Sequence, residues 1–232
     1  GSSQYHSLQL QAHKSVGRGF NGFAAYTWGH SIDNASWNSA IFFLYPGATD
    51  RGSSDFDVRH AFQTGLSYTP NSNAMGRWTR GRTVSTIFRA RTSFPVDVVA
   101  RENPFGLGSD NARPDLVGGI PIWVRDPSAP AGRRLNRDAF RIPASGLQGS
   151  LGRNAVRGFG LAQIDAALER RFPIGEAAAL GIRLEAYNVT NRPNFADPMR
   201  FLNNPLFGQS LSQANLMLGT GRAHSGLTPN FQ

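Results

Sequence analysis

The amino-acid sequence predicts an all-β protein whose antiparallel, up-and-down strands form one segment of a transmembrane β-barrel. Three observations predict this fold class. Six stretches of the chain alternate with period two, and the connections between them are alternately short and long. The longest apolar run, residues 40–45, is far shorter than the roughly 20 residues of a membrane helix. If the chain crosses a membrane, it therefore crosses with β-strands.

The alternation divides each stretch into an apolar face and a face that carries amide or charged side chains. In the last stretch, for example, Leu184 is apolar while its neighbours Arg183 and Glu185 are charged. In a membrane barrel the apolar face contacts lipid and the polar face lines a water-filled or plugged lumen. The six stretches are residues 5–16, 22–32, 57–70, 82–96, 162–172 and 180–189.

A helix is the competing interpretation of residues 162–172, because Ile164, Leu168 and Phe172 also recur at a spacing of four. The flanking sequences favour a strand. Glycines precede the stretch and "FPIGE" follows it, and both are typical of strand ends.

The connections between the stretches indicate how the sheet lies in a membrane. The first, third and fifth connections are short, whereas the second has about two dozen residues and the fourth has more than sixty. Alternate connections of an antiparallel meander emerge at the same end of the sheet. This segregation is typical of outer-membrane barrels, which have short periplasmic turns and long extracellular loops.

Two further features concern the lipid-facing surface. Arg170 falls on the apolar face near the short-turn end, so its side chain is expected to extend to the membrane interface. Aromatic residues near the strand ends are expected to form an interfacial girdle. They are Tyr5, Tyr26, Trp28, Tyr68 and Phe172.

Composition narrows the functional classes. The 232-residue chain has a formal net charge of +9 and no cysteine, so a disulfide framework is excluded. Lys14 is the only lysine, and the arginines are scattered without the interleaved aromatic residues of a base-stacking surface. A nucleic-acid partner is therefore not expected, although a soluble basic β-protein that binds nucleic acid stays an alternative.

No catalytic constellation stands out, and neither enzymatic activity nor a cofactor or metal is expected. Ser31 lies beside His30 and Asp33, but sequential neighbours rarely form a triad. Asp55 and Asp57 are too few for a calcium loop, and entry into a strand is the simpler interpretation. The histidines are dispersed without a ligand spacing: His6, His13, His30, His60 and His224.

Charged residues of the predicted lumen face are the candidate substrate-binding residues. They would contact a plug or a substrate, or else pair across strands and merely satisfy the barrel interior. Both interpretations stay open. The candidates are Arg89, Arg91, Asp165, Glu169, Arg183 and Glu185.

Several phrases resemble the barrel of Oar-like TonB-dependent receptors. They include "YHSLQLQAHKSVGRGFNGFAAYTWGHSIDNAS", "RGSSDFDVRHAFQTGLSYTP" and "GRNAVRGFGLAQIDAALERRFPI". "LEAYNVTNRPNF", within "LGIRLEAYNVTNRPNFADP", is the most specific. The resemblance covers nearly the whole chain and keeps the order of the phrases.

The resemblance implies that residues 1–232 are the C-terminal part of a barrel of about 22 strands in the outer membrane of a Gram-negative bacterium. It implies a receptor that imports a bulky nutrient, with outer-membrane lipid, an N-terminal plug and the TonB complex as partners of the full-length protein. Since the long loops also resemble binding surfaces, a surface-interaction or secretion-linked role is the alternative. The apolar loop segment "SWNSAIFFLYP" is a candidate partner patch.

The end of the sequence leads to a further expectation. The tail "LMLGTGRAHSGLTPNFQ" is punctuated by glycine and proline and shows no closing strand. Six strands do not close a membrane barrel, since single-chain barrels start at about eight. We therefore expect a fragment that lacks the plug and the last strand. The first and sixth strands should be open edges, and the chain from Asn194 onward should be irregular extracellular loop.

Overall fold

A seven-stranded antiparallel sheet, made of six long strands and the two-residue strand β3 (Gly52–Ser53) that pairs with β2 (Phe20–Asp33), carries most of the regular structure of the protein. The computed structural model describes residues 2–16, 19–34, 36, 51–70, 81–100, 112–144, 147–174 and 178–214. In chain order the strands are β1 Ser3–Val16, β2 Phe20–Asp33, β3 Gly52–Ser53, β4 His60–Tyr68, β5 Arg82–Arg91, β6 Pro95–Val96, β7 Asp115–Leu116, β8 Trp123–Arg125, β9 Arg133–Leu135, β10 Phe140–Arg141, β11 Val156–Arg157, β12 Leu161–Ile174 and β13 Ala178–Ala186. Two single 3₁₀ turns, Pro130–Gly132 and Arg137–Ala139, interrupt the longer loops.

The six long strands are the six stretches that the alternation predicts. Their order in the sheet is β1-β2-β4-β5-β12-β13, and every neighbouring pair is antiparallel. The meander and the strand interpretation of residues 162–172 are therefore confirmed. The described part of the chain contains no helix long and apolar enough to cross a lipid bilayer.

The predicted stretch 57–70 exceeds β4 at both ends, and two other stretches leave the sheet before their C-terminal ends. The stretch 82–96 leaves the sheet after Arg91, and Pro95–Val96 pairs instead with β11. The stretch 180–189 ends at Ala186 because Asn188 adopts a positive φ of 49°, which turns the chain out of the ladder. The differences in the stretches 82–96 and 180–189 lie at the long-loop end, where tertiary contacts replace the pairing between neighbours.

The register makes one face of the sheet mostly apolar, with Lys14, Arg82 and Arg170 toward the short turns, and we call it the outer face. Leu10, Tyr26 and Phe62 lie side by side across β1, β2 and β4. Leu168 lies opposite Leu184 across β12 and β13. Leu184 is 66% exposed, so no second layer covers this face there. The opposite face, which we call the inner face, carries the amide and charged side chains.

The structure tests only the face on which the predicted girdle residues lie, and their position at a membrane interface stays a prediction. Tyr26, Trp28, Tyr68 and Phe172 share the parity of the outer face. Tyr5 does not: it pairs with Ser31 on the inner face, so its assignment to the girdle is wrong. The prediction rested on nearness to a strand end and ignored the parity of the residue within β1.

The long loops fold together instead of projecting separately. We call residues 92–100, 112–144, 147–160 and 194–214 the cap. Its hydrophobic core is built from loop residues and not from the seven-stranded sheet. This core explains why Leu202 and Phe207 are buried although they lie in irregular chain beyond β13. The core residues are Val96, Val98, Ala100, Leu135, Ala139, Phe140, Leu151, Val156, Leu202 and Phe207.

Both outer strands of the sheet are open edges. β1 pairs only with β2, and β13 pairs only with β12, among the described residues. Residues 194–214 form isolated bridges such as Val99 with Phe201 and no strand, so the expectation of irregular structure is confirmed for that range. The remainder of the tail, residues 215–232, lies outside the described residues.

The sidedness of the loops is testable with introduced cysteines, since the native chain has none. A Ser128→Cys side chain, exposed in the cap, should react with a bulky maleimide on intact cells. An Ala178→Cys side chain beside a short turn should react only after the outer membrane is permeabilised. Labelling of intact cells at residue 178 alone would reverse the proposed topology.

Candidate functional site

The first charged cluster of the inner face joins β5 to β12. Arg89 Nη1 lies 3.0 Å from Asp165 Oδ2. The other carboxylate oxygen of Asp165 accepts hydrogen bonds from Gln163 Nε2 at 2.7 Å and from the Asn188 backbone N–H at 2.9 Å. The Asp165 side chain is only 13% exposed, so this carboxylate is a structural centre of the inner face.

A second cluster lies nearer the short turns, on β12 and β13. Arg183 bridges two carboxylates, with Nη1 at 3.6 Å from Glu169 Oε2 and Nε at 2.6 Å from Glu185 Oε1. Arg171 Nε donates to Glu169 Oε1 at 2.7 Å, and the Tyr187 hydroxyl donates to Glu185 Oε2 at 2.6 Å. The result is a chain of alternating charge across the sheet.

Arg91, the remaining candidate, stands apart from both clusters. Its guanidinium lies 4.1 Å from the centroid of the Phe94 ring, and its Nη1 donates to the Thr92 carbonyl at 3.1 Å. Arg91 therefore points toward the cap. The structure brings five of the six predicted residues into two paired clusters, and this pairing supports the cross-strand interpretation. Contact with a substrate stays a prediction.

Sequence reasoning missed a third cluster, which we call the clamp. It joins the loop between β2 and β4 to the cap. Arg153 Nη1 lies 2.6 Å from Asp33 Oδ1, and Asn154 Nδ2 donates to Asp55 Oδ1 at 2.7 Å. Arg157 Nη2 lies 2.6 Å from Asp57 Oδ2. The partners are about a hundred residues apart, so no local pattern could have paired them.

The two acidic residues that suggested calcium belong to the clamp. The side chain of Asp57 is fully buried. Burial raises the pKa of its carboxyl, but the Ser31 N–H and the Arg157 guanidinium outweigh burial and hold that pKa below its ordinary value. The ionised Asp57 carboxylate thus stabilises the folded state at pH values above the ordinary carboxyl pKa. This stabilisation is lost as the pH falls through the lowered pKa. The described residues contain no group of three or more side chains suited to a metal ion.

The phrase "LEAYNVTNRPNF" folds the chain back over the top of β12. Asn188 and Asn191 adopt positive φ angles of 49° and 48°, a conformation that asparagine tolerates better than most residues. Asn188 Oδ1 accepts from the Arg192 N–H at 3.2 Å, and Asn194 Oδ1 accepts from the Ala162 N–H at 3.0 Å. The asparagines therefore have a structural role in docking the chain onto the cap.

The same end of the inner face contains an open cavity of about 480 Å³. Tyr5, Thr27 and Ala61 form its floor on the sheet, and Phe56 and Val58 cover it from the loop. The acidic residue in the lining, Asp57, is already paired with Arg157. The cavity therefore suits an uncharged or weakly polar group better than a cation.

The triad considered from "GHSID" does not form. Ser31 and His30 are successive residues of β2, so their side chains leave the strand on opposite faces. The Ser31 hydroxyl lies 2.8 Å from the Ser54 hydroxyl. Ser31 is only 6% exposed, so its hydroxyl is buried beside the clamp.

An antiparallel meander with an uncovered apolar face, a charged inner face and loops gathered at one end defines a wall of a membrane β-barrel. The family model described as "Outer membrane beta barrel domain" matches residues 1–222. The chain belongs to this family. It is accordingly a protein of the outer membrane of Gram-negative bacteria, in contact with membrane lipid, as predicted from the sequence. Neither the curated proteins nor the solved structures gave a match.

Proposed function

We propose that the chain is part of the barrel wall of a TonB-dependent outer-membrane receptor that imports a bulky nutrient. The open sheet is the observation that carries this proposal. β1 and β13 have unpaired outer edges among the described residues. Unpaired backbone groups in hydrocarbon cost several kcal/mol each, so in the proposed barrel further strands pair with these two edges. A barrel of about 22 strands has a lumen wide enough for a plug and a large substrate.

The inner face is compatible with a plugged lumen. Its charges form the clusters around Asp165 and Arg183, so the wall presents polar, hydrated groups without a concentrated charge of one sign. The proposed partners of this barrel segment in the full-length protein are the protein's own N-terminal plug domain and the TonB complex. We do not propose an enzymatic role, because the His30 and Ser31 side chains of "GHSID" leave β2 on opposite faces.

Nutrient uptake by cells that express the full-length gene tests the proposal. Uptake should depend on TonB and should be lost when a TonB-binding segment upstream of the barrel is deleted. Surface binding of the same nutrient should persist in the TonB-deficient strain. A full-length gene without a plug or a TonB-binding segment would contradict the proposal, and so would uptake of equal rate without TonB.

A surface-interaction or secretion-linked role is the second candidate, and the cap favours it. The cap has its own buried core, yet Ile142 and Leu147 are 53% and 59% exposed on its surface. Exposed apolar side chains on a packed loop assembly suit a protein partner. The apolar segment at residues 36–46 falls almost entirely outside the described residues. Partner binding that is independent of TonB and is lost in an Ile142→Ser/Leu147→Ser variant would favour this candidate.

A further inference from the structure

Two arginines face each other on the outer face of the sheet. Arg82 is the first residue of β5, and the register places it directly opposite Arg170 of β12. Both residues share the parity of Val84 and Leu168, which lie opposite each other in the next row of the same face. The pair thus lies on the lipid-facing surface, toward the short turns.

Neither guanidinium has an acidic partner among the described residues. Within the described part of the chain, the Arg170 guanidinium carbon lies 4.5 Å from the centroid of the Phe172 ring. Ile182 lies opposite Arg170 on the other side, across β13. The neighbours of Arg170 other than Arg82 are therefore apolar. On the inner face, by contrast, arginines such as Arg183 have carboxylate partners.

An anion from outside the sheet would stabilise this arrangement. Like charges directly opposite each other in a sheet are destabilising, and an arginine on the lipid face is costly unless its guanidinium reaches polar headgroups. A phosphate placed between the two side chains removes both penalties, because guanidinium groups bind phosphate through paired, charge-assisted hydrogen bonds.

We propose that Arg82 and Arg170 bind the phosphate of an anionic phospholipid in the leaflet at the short-turn end, expected to be the periplasmic leaflet. The two positive charges favour a lipid with net negative charge over a zwitterionic one. Phe172 holds the Arg170 guanidinium from one side and offers an apolar surface to the acyl chains. Cardiolipin, with two phosphates, balances the charge of the pair.

Native mass spectrometry of the full-length protein released from nanodiscs tests the site. The nanodiscs contain phosphatidylcholine with phosphatidylglycerol, cardiolipin or phosphatidylethanolamine as the minor lipid. The wild type should retain the two anionic lipids preferentially. Arg82→Gln and Arg170→Gln should each lower this preference about fivefold, and the double variant about thirtyfold. Arg125→Gln/Arg141→Gln, which removes two exposed cap arginines, is the charge-matched control and should keep the preference.

Several outcomes would overturn the proposal. They are an absence of anionic-lipid preference in the wild type, an equal loss in the control, and full displacement of the lipid by inorganic phosphate. If the double glutamine variant does not assemble, Arg82→Lys/Arg170→Lys replaces it. That variant keeps both charges and should retain more anionic lipid than phosphatidylcholine, and its failure to do so would also contradict the site. The outcome is independent of whether the protein transports a nutrient.

Discussion

Replacing Leu184 by arginine is expected to destabilise the folded barrel by about 2–4 kcal/mol, the cost of arginine near the midplane of the lipid face. Leu184 lies within β13 on the outer face and is the most exposed of the large apolar side chains. Unlike Arg170, it is separated from the short turn by further apolar residues, including Leu180 and Ile182. Equilibrium unfolding of the full-length protein in bilayers measures this effect.

The matched control is the adjacent inner-face residue. Glu185→Gln removes a charge that Arg183 Nε and the Tyr187 hydroxyl contact at 2.6 Å, but the side chain is 40% exposed and the position stays hydrated. Its loss of unfolding free energy should be much smaller than that of Leu184→Arg. Equal tolerance of the two substitutions would be incompatible with lipid on the outer face.

Breaking the clamp is expected to have an effect of similar size on the cap. Arg153→Met leaves the Asp33 carboxylate, whose side chain is 7% exposed, without the cation at 2.6 Å. Removal of one partner from a buried ion pair typically costs about 3–5 kcal/mol. Because this pair joins the cap to the end of β2, the cap should open and become sensitive to external protease while the sheet stays folded.

Proteolysis of intact cells that express the full-length variants measures the opening. Arg141→Met is the control. The Arg141 side chain is 75% exposed and its Nη2 lies 3.7 Å from Asp115 Oδ2, and an exposed ion pair of this kind contributes little to stability. This variant should be as protease-resistant as the wild type. Resistance of Arg153→Met equal to that of the control would show that the clamp does not hold the cap closed.

The sequence by itself determined the sheet. Strand alternation is a local property with a period of two, so the faces of Leu184 and Glu185 could be assigned before any partner was known. The alternating lengths of the connections determined the meander in the same way. Each long strand pairs with the next long strand along the chain, so the order of the six strands in the sheet follows their order in the sequence.

Only the tertiary structure decided the contacts at the long-loop end. The pairing of Arg153 with Asp33 joins residues 120 positions apart, and the cap core joins Val98 to Phe207, both in segments without regular periodicity. Register decided two further points, the inner-face position of Tyr5 and the opposition of Arg82 to Arg170. Parity within one strand can be read from sequence, but long-range packing and the alignment between strands depend on contacts that no local pattern encodes.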